Sequence, residues 1–164
     1  MGTKDLSSYD PGKIPPADDM RFGIVVSDWN DGVTWNLLDA ASDTLKKHGA
    51  RDENIIIEHV PGSFELPLAA QLLKESAEPD ALICLGCVIQ GETPHFTYVC
   101  QGVSQGITQL NLKYGIPFVF GVLTTDTLQQ AVDRSGGIHG NKGHEAAVTA
   151  IRMVDLVRRS SKKA

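Results

Sequence analysis

The 164-residue chain lacks several features, and each absence removes a class of function. No run of Lys and Arg occurs before the tail Arg158 to Lys163, and the formal net charge is −5. That balance argues against a general nucleic-acid binder or a protein of anionic membrane surfaces. The tail reads as a solvated helix end whose cations match the negative end of the helix dipole. No apolar stretch is long enough to span a bilayer, and neither a secretory h-region nor an Arg- and Ser-rich transit segment occurs, so a cytoplasmic location is expected.

Cysteine is scarce, with only Cys84, Cys87 and Cys100, an odd count that fits a reducing compartment. Cys84-Leu-Gly-Cys87 has C-x-x-C spacing but falls in a predicted strand, where successive side chains point to opposite faces. Zinc and redox versions need a turn or a helix start, and no second ligand pair follows, so no metal is expected. The standard phosphate loops are missing too. Nothing of the form G-x-G-x-x-G opens the first helix. The segment Gly136-Gly137-Ile138-His139-Gly140-Asn141-Lys142-Gly143 lacks the G-x-x-x-x-G-K-[ST] order and does not follow a strand directly. No G-x-S-x-G elbow marks a serine hydrolase.

What remains is an ordinary globular composition, 41% hydrophobic and 21% charged, with length for one domain. Residues 1–19 hold three prolines, Gly2, Gly12 and several charges without period. They read as a flexible arm, or an extended strand that docks only on a partner, ahead of a single domain over residues 20–164. Met20 to Ser27, Asn54 to Val60, Ala81 to Ile89 and Pro117 to Leu123 are predicted strands.

Helical spacing fills the gaps. The predicted apolar faces are Leu37, Leu38, Ala41 and Leu45; then Leu68, Ala69, Leu72 and Leu73; then Val99, Val103, Ile107 and Leu110. Asp126 with Gln129 reads as a capping box for a short helix. A final helix from His144 buries Ala147, Ala150, Ile151 and Val154. Strand and helix alternate throughout, which implies a three-layer αβα sandwich of flavodoxin-like type, with four parallel strands and helices on both faces.

Ligands in such sheets bind at the carboxyl ends of the strands. Those ends carry Trp29, Ser63-Phe64-Glu65, Val88 to His95 and Thr124 to Asp126. Trp29 and Phe64 offer faces on which a flat heterocycle stacks, and Glu65 accepts paired N–H donors. Gln90, Glu92, Thr93 and His95 precede or open a helix, whose free N–H groups and positive dipole end suit phosphate. His95 is the one residue there that exchanges protons near neutral pH. Arg134 and Lys142 flank the glycine-rich segment as candidate phosphate partners. Plainer readings stand beside these: Phe64 as core, Glu65 as a helix-start charge, His95 as a donor to a nearby carbonyl, Arg134 and Lys142 as surface charge.

Five stretches together resemble the lumazine synthase family of riboflavin biosynthesis: FGIVVSDWN from Phe22, VPGSFELPLAA from Val60, GCVIQGETPHFTYV from Gly86, FGVLTTDTLQQA from Phe120 and DRSGGIHGNKGHEAA from Asp133. The likeness runs from Arg21 to about Val157. It implies condensation of 5-amino-6-(D-ribitylamino)uracil with 3,4-dihydroxy-2-butanone 4-phosphate, without cofactor or metal, releasing inorganic phosphate and water. By motif, Trp29 stacks on the pyrimidine, and Ser63, Phe64 and Glu65 hold its edge and ribityl chain. Cys87, Val88 and Ile89 line the pocket, and Phe120 closes it from a neighbouring subunit. Glu92, Thr93 and Arg134 bind the phosphate, and His95 donates the proton. Gln90 stands where some members carry a basic residue.

The resemblance further implies homo-oligomers, pentamers that in some members close into an icosahedral sixty-subunit shell, with active sites at subunit interfaces. In such assemblies the N-terminal arm, here Ser7 to Ile14, adds a strand to a neighbour's sheet. Riboflavin synthase is a candidate partner. The competing expectations are a module that binds flavin or lumazine without turnover, and a shell protein without catalysis.

Overall fold

The computed structural model describes residues 10–161. Its centre is set by strands too apolar to face water. β1 (Phe22–Ser27) is buried along its whole length, and β3 (Ala81–Ile89) is buried through Cys87. Between them and their neighbours β2 (Ile55–Val60) and β4 (Phe118–Thr125) they build a parallel sheet in the order β2-β1-β3-β4. Branched side chains on both faces of a central strand require a cover on each side.

The period-2 alternation sorts that cover. Phe22, Ile24, Val26, Ile83, Leu85 and Cys87 face α1 (Asp31–Lys47) and α5 (Lys142–Ser161), where Leu37, Leu45, Ala147 and Ile151 join the same core. Val25, Leu82, Cys84 and Val122 face α2 (Leu66–Ala77) and α3 (His95–Tyr114). Cys84 and Cys87 therefore lie in different cores on opposite faces of the sheet. Burial pushes their thiols up, to about 12 for Cys84 and about 11 for Cys87, so neither acts as a thiolate nucleophile. The three-layer αβα architecture is the one read from the sequence.

Several local details differ from that reading. In α2 the buried residues are Leu66, Ala70 and Leu73, while Leu68 and Leu72 are exposed. More than half of this helix is apolar, so its composition supports two stripes, and the sheet takes the one beginning at Leu66. The cap after β4 is Thr127, whose hydroxyl accepts from the Gln130 amide, while the Asp126 amide donates to the Gln130 side chain. The box thus sits one residue later than Asp126–Gln129 and opens the short α4 (Leu128–Val132).

The glycine-rich stretch folds as an antiparallel hairpin, β5 (Ser135–Gly137) with β6 (Gly140–Asn141), and α5 starts at Lys142 rather than His144. The N-terminal segment also docks on its own body earlier than residue 20: Ala17 is fully buried in the α1/α5 core and its amide donates to the His48 carbonyl at 2.8 Å. Asp10 to Ile14 forms a single 3-10 turn rather than a strand, and residues 7–9 of the expected strand lie outside the described residues.

Two glycines inside α3 bring it close to α2 and to the turn that precedes it. A Cβ at Gly106 would stand 2.8 Å from the Pro67 ring, and one at Gly102 would stand 2.7 Å from the Phe64 ring. A mid-helix glycine costs about 1 kcal/mol against alanine, so close packing here is gained at the helix's own expense. Among the described residues no helix is long and apolar enough to cross a membrane.

Candidate active site

The chain runs from β1 outward to β2, then crosses back to β3 and β4, so the strand order reverses between β1 and β3. Such a switch point opens a crevice at the carboxyl ends of the strands. Asn30 spans it: its side-chain amide donates to the Cys87 carbonyl at 3.0 Å. Asn30 sits in the left-handed region at φ 62, a conformation that Asn tolerates better than most side chains. The adjoining loop is held on its other side as well. The amides of Asp28 and Trp29 donate to the carbonyls of Val60 and Pro61 at 2.8 and 3.0 Å, and the carboxylate of Asp28 lies 2.7 Å from His59 Nδ1.

This scaffold leaves Trp29 74% exposed. A Cβ placed on Gly62 would lie 3.6 Å from the Trp29 ring and 3.0 Å from a Glu65 carboxylate oxygen, so the indole and the carboxylate border one space. Ser63, Phe64 and Glu65 form one 3-10 turn ahead of α2. Ser63 is buried, and its hydroxyl, which has no hydrogen-bond partner, packs where a side chain on Gly86 would stand. Phe64 remains 60% exposed although one edge of its ring rests on α3.

At the end of β3, Val88 and Ile89 are half-buried and Gln90 is exposed, its amide donating to the Thr125 carbonyl at 2.8 Å. The Cys87 side chain points into the α1/α5 core, so this residue meets the crevice through its backbone. Glu92 and Thr93 are exposed in the bend that follows, and His95 is the exposed first residue of α3. No side chain caps that helix, which leaves its first N–H groups for an incoming acceptor.

Phe120 and Arg134 are elsewhere. They line a groove of ≈ 540 Å³ along the free edge of β4, together with Thr124, Lys142 and Glu145. One Arg134 nitrogen donates to the Gln130 carbonyl at 2.9 Å, and Lys142 pairs with Glu145 at 2.5 Å. The sequence-predicted residues thus separate into a strand-end group and a β4-edge group. Asn30, Gly62 and Gly86 were not singled out from the sequence. Their signals are weak there: a polar residue beside Trp29, and glycines whose role depends on what packs over them. Among the described residues no three His, Cys, Asp or Glu side chains cluster as metal ligands do.

Known proteins share this chain from end to end of the domain. The family model described as 6,7-dimethyl-8-ribityllumazine synthase matches residues 19–158. The chain belongs to that family. Relatives bearing the same name agree. The protein from Parabacteroides distasonis is 59% identical, over 93% of this chain and 96% of its own. Those from Phocaeicola vulgatus and Porphyromonas gingivalis are 53% and 54% identical, over 96% and 94% of this chain and 94% and 96% of theirs. The family's matched span takes in both groups of candidate residues, from the β1 loop to α5.

Proposed function

We propose that the chain is a transferase of riboflavin biosynthesis. It condenses 5-amino-6-(D-ribitylamino)uracil with 3,4-dihydroxy-2-butanone 4-phosphate to give 6,7-dimethyl-8-ribityllumazine, inorganic phosphate and water. The observation that carries this reading, in a chain of this family, is the exposed Trp29 ring and the Glu65 carboxylate bordering one space at the switch point. An aromatic face beside a carboxylate suits a pyrimidine: the ring stacks, and the carboxylate accepts from its edge.

In this reading Ser63 and Phe64 hold the pyrimidine and its ribityl chain, and the Val88 and Ile89 end of β3 forms the floor. Glu92 and Thr93 place their backbone amides around the phosphate, and Arg134 pairs with it. Joining two small molecules gains most from fixed orientation, which supplies about 7–11 kcal/mol of barrier in the best cases. Imine formation, phosphate elimination and ring closure each move protons, and His95 at the mouth of α3 shuttles them. The chemistry asks for no cofactor and no metal, and a cytoplasmic location accords with the small, soluble substrates.

The separation of Phe120 and Arg134 from the strand-end group supports a site completed by a second copy, whose β4 groove meets this copy's crevice. Exposed Leu68, Leu72 and Tyr98 on α2 and α3 are further surface for such contacts. A pentamer, alone or closed into a shell, satisfies both.

Light scattering combined with assays of lumazine absorbance and phosphate release on the same fractions tests this. Activity is expected in an oligomer and not in a monomer. Tight pyrimidine binding without phosphate release would replace the enzyme with a binding module.

A further inference from the structure

Phe64 rests one edge of its ring on α3. Its ring is 60% exposed, and the contact that locates it is the notch in α3 at Gly102. A Cβ there would stand 2.7 Å from Cε2, 3.4 Å from Cδ2 and 3.7 Å from Cζ, so one whole edge of the ring occupies the space an alanine methyl would need. At the other end of the same turn, the Ser63 hydroxyl lies 2.6 Å from the corresponding point on Gly86 of β3. The turn Ser63–Glu65 is therefore seated between two elements, each recessed by a missing side chain.

Helix propensity opposes glycine at position 102, and the backbone there has no left-handed torsion to explain one. What the residue provides is depth. We propose that Gly102 is a positioning residue: it lets the Phe64 ring sink against α3 and so sets the height of the aromatic face that the pyrimidine meets. This rests on the proposed function, in which Phe64 holds the pyrimidine. Gly102 itself touches no substrate. Its effect passes through the ring, and neither Gly102 nor Phe64 lines the Arg134 groove.

Three variants of the full-length oligomer test this: Gly102→Ala, Phe64→Leu and the double variant. Pyrimidine affinity is read by fluorescence titration without the second substrate, and KM for each substrate is read in turnover. Gly102→Ala is expected to weaken pyrimidine binding by about three- to tenfold, the loss of one aromatic contact. The KM for the butanone phosphate should stay unchanged. In the Phe64→Leu background the same substitution should change nothing further, because the edge it collides with is gone.

An unaltered pyrimidine affinity in Gly102→Ala overturns the inference, as does an equal loss in both backgrounds. If Gly102→Ala alone does not fold, recovery of folding in the double variant identifies the Phe64 ring as the obstacle, and continued misfolding overturns the seat. Wild-type protein that binds pyrimidine without turnover would defeat the proposed enzyme while leaving the affinity comparison readable.

Discussion

The side-chain amide of Asn30 donates to the Cys87 carbonyl at 3.0 Å, tying the loop that carries Trp29 to the end of β3. The bond crosses the point where strand order reverses, and Asn30 holds φ 62 to make it. Alanine at this position loses the hydrogen bond, about 1 kcal/mol, and also loses asparagine's tolerance of the left-handed region, about 1 kcal/mol more, while keeping the Cβ that makes that region costly. Chemical denaturation of Asn30→Ala should therefore show a loss of about 2 kcal/mol. Asn30→Gly should recover the backbone share and keep the rest. Equal losses in the two variants would mean that backbone strain has no part.

Glycines 32 and 143 make opposite predictions. A Cβ on Gly143 would lie 2.1 Å from the Leu37 carbonyl oxygen, a backbone atom that cannot move without moving α1, whereas one on Gly32 meets nothing within 4 Å. Gly143→Ala should cost about 3 kcal/mol or more, at or beyond the usual overpacking range. Gly32→Ala should be neutral or gain about 0.5–1 kcal/mol. Thermal melts of the two decide it, and a mild effect at Gly143 would contradict the α1–α5 contact.

Cys84 makes alkaline stability a measurable quantity. Burial lifts its thiol from an ordinary 9.0 to about 12, so between those values the unfolded chain has lost a proton that the folded chain keeps. The stabilisation is complete below pH 9 and declines as pH rises, at about 1.4 kcal/mol per pH unit, until the folded thiol also ionises. Urea titrations from pH 8 to 11 should give a shallower decline for Cys84→Ala than for the wild type, whatever the variant's loss at pH 8. Parallel slopes would refute the shift.

His95 and Arg134 should fail in different ways. On the proposed mechanism His95→Ala removes the proton shuttle, so kcat should fall by about 10²-fold or more while pyrimidine affinity holds. Arg134→Ala should chiefly raise the KM for the phosphorylated substrate. Steady-state kinetics with each substrate varied in turn separates the two, and unchanged turnover in His95→Ala would remove that residue from its role.

The sequence was most legible where a period decided the outcome. Alternation alone put Cys84 and Cys87 on opposite faces of one strand, and they occupy separate cores. It was least legible where two local solutions compete or none has a period. Asp126 and Thr127 are both good caps, and Gln130 selects the second. Residues 135–141 show no alternation, and their hairpin is written only in Gly136 and Gly140 at φ 124 and 72. The docking of Ala17 depends on His48, a contact no local pattern announces. At the candidate site, the strand-end residues followed from topology and Phe120 from its place on the predicted fourth strand, whereas the approach of Arg134 to the same β4 edge depended on a short helix and turn that have no period.

The recessed middle of α3 has a dynamic consequence. Glycines at 102 and 106 lower the helix's own propensity there, and the Phe64 ring and Pro67 fill the recess, adding to the packing of Val103, Ile107 and Leu110 on the sheet. Local opening of either α3 or the Ser63–Glu65 turn is expected to reach the other, joining Phe64 on that turn to His95 at the head of that helix.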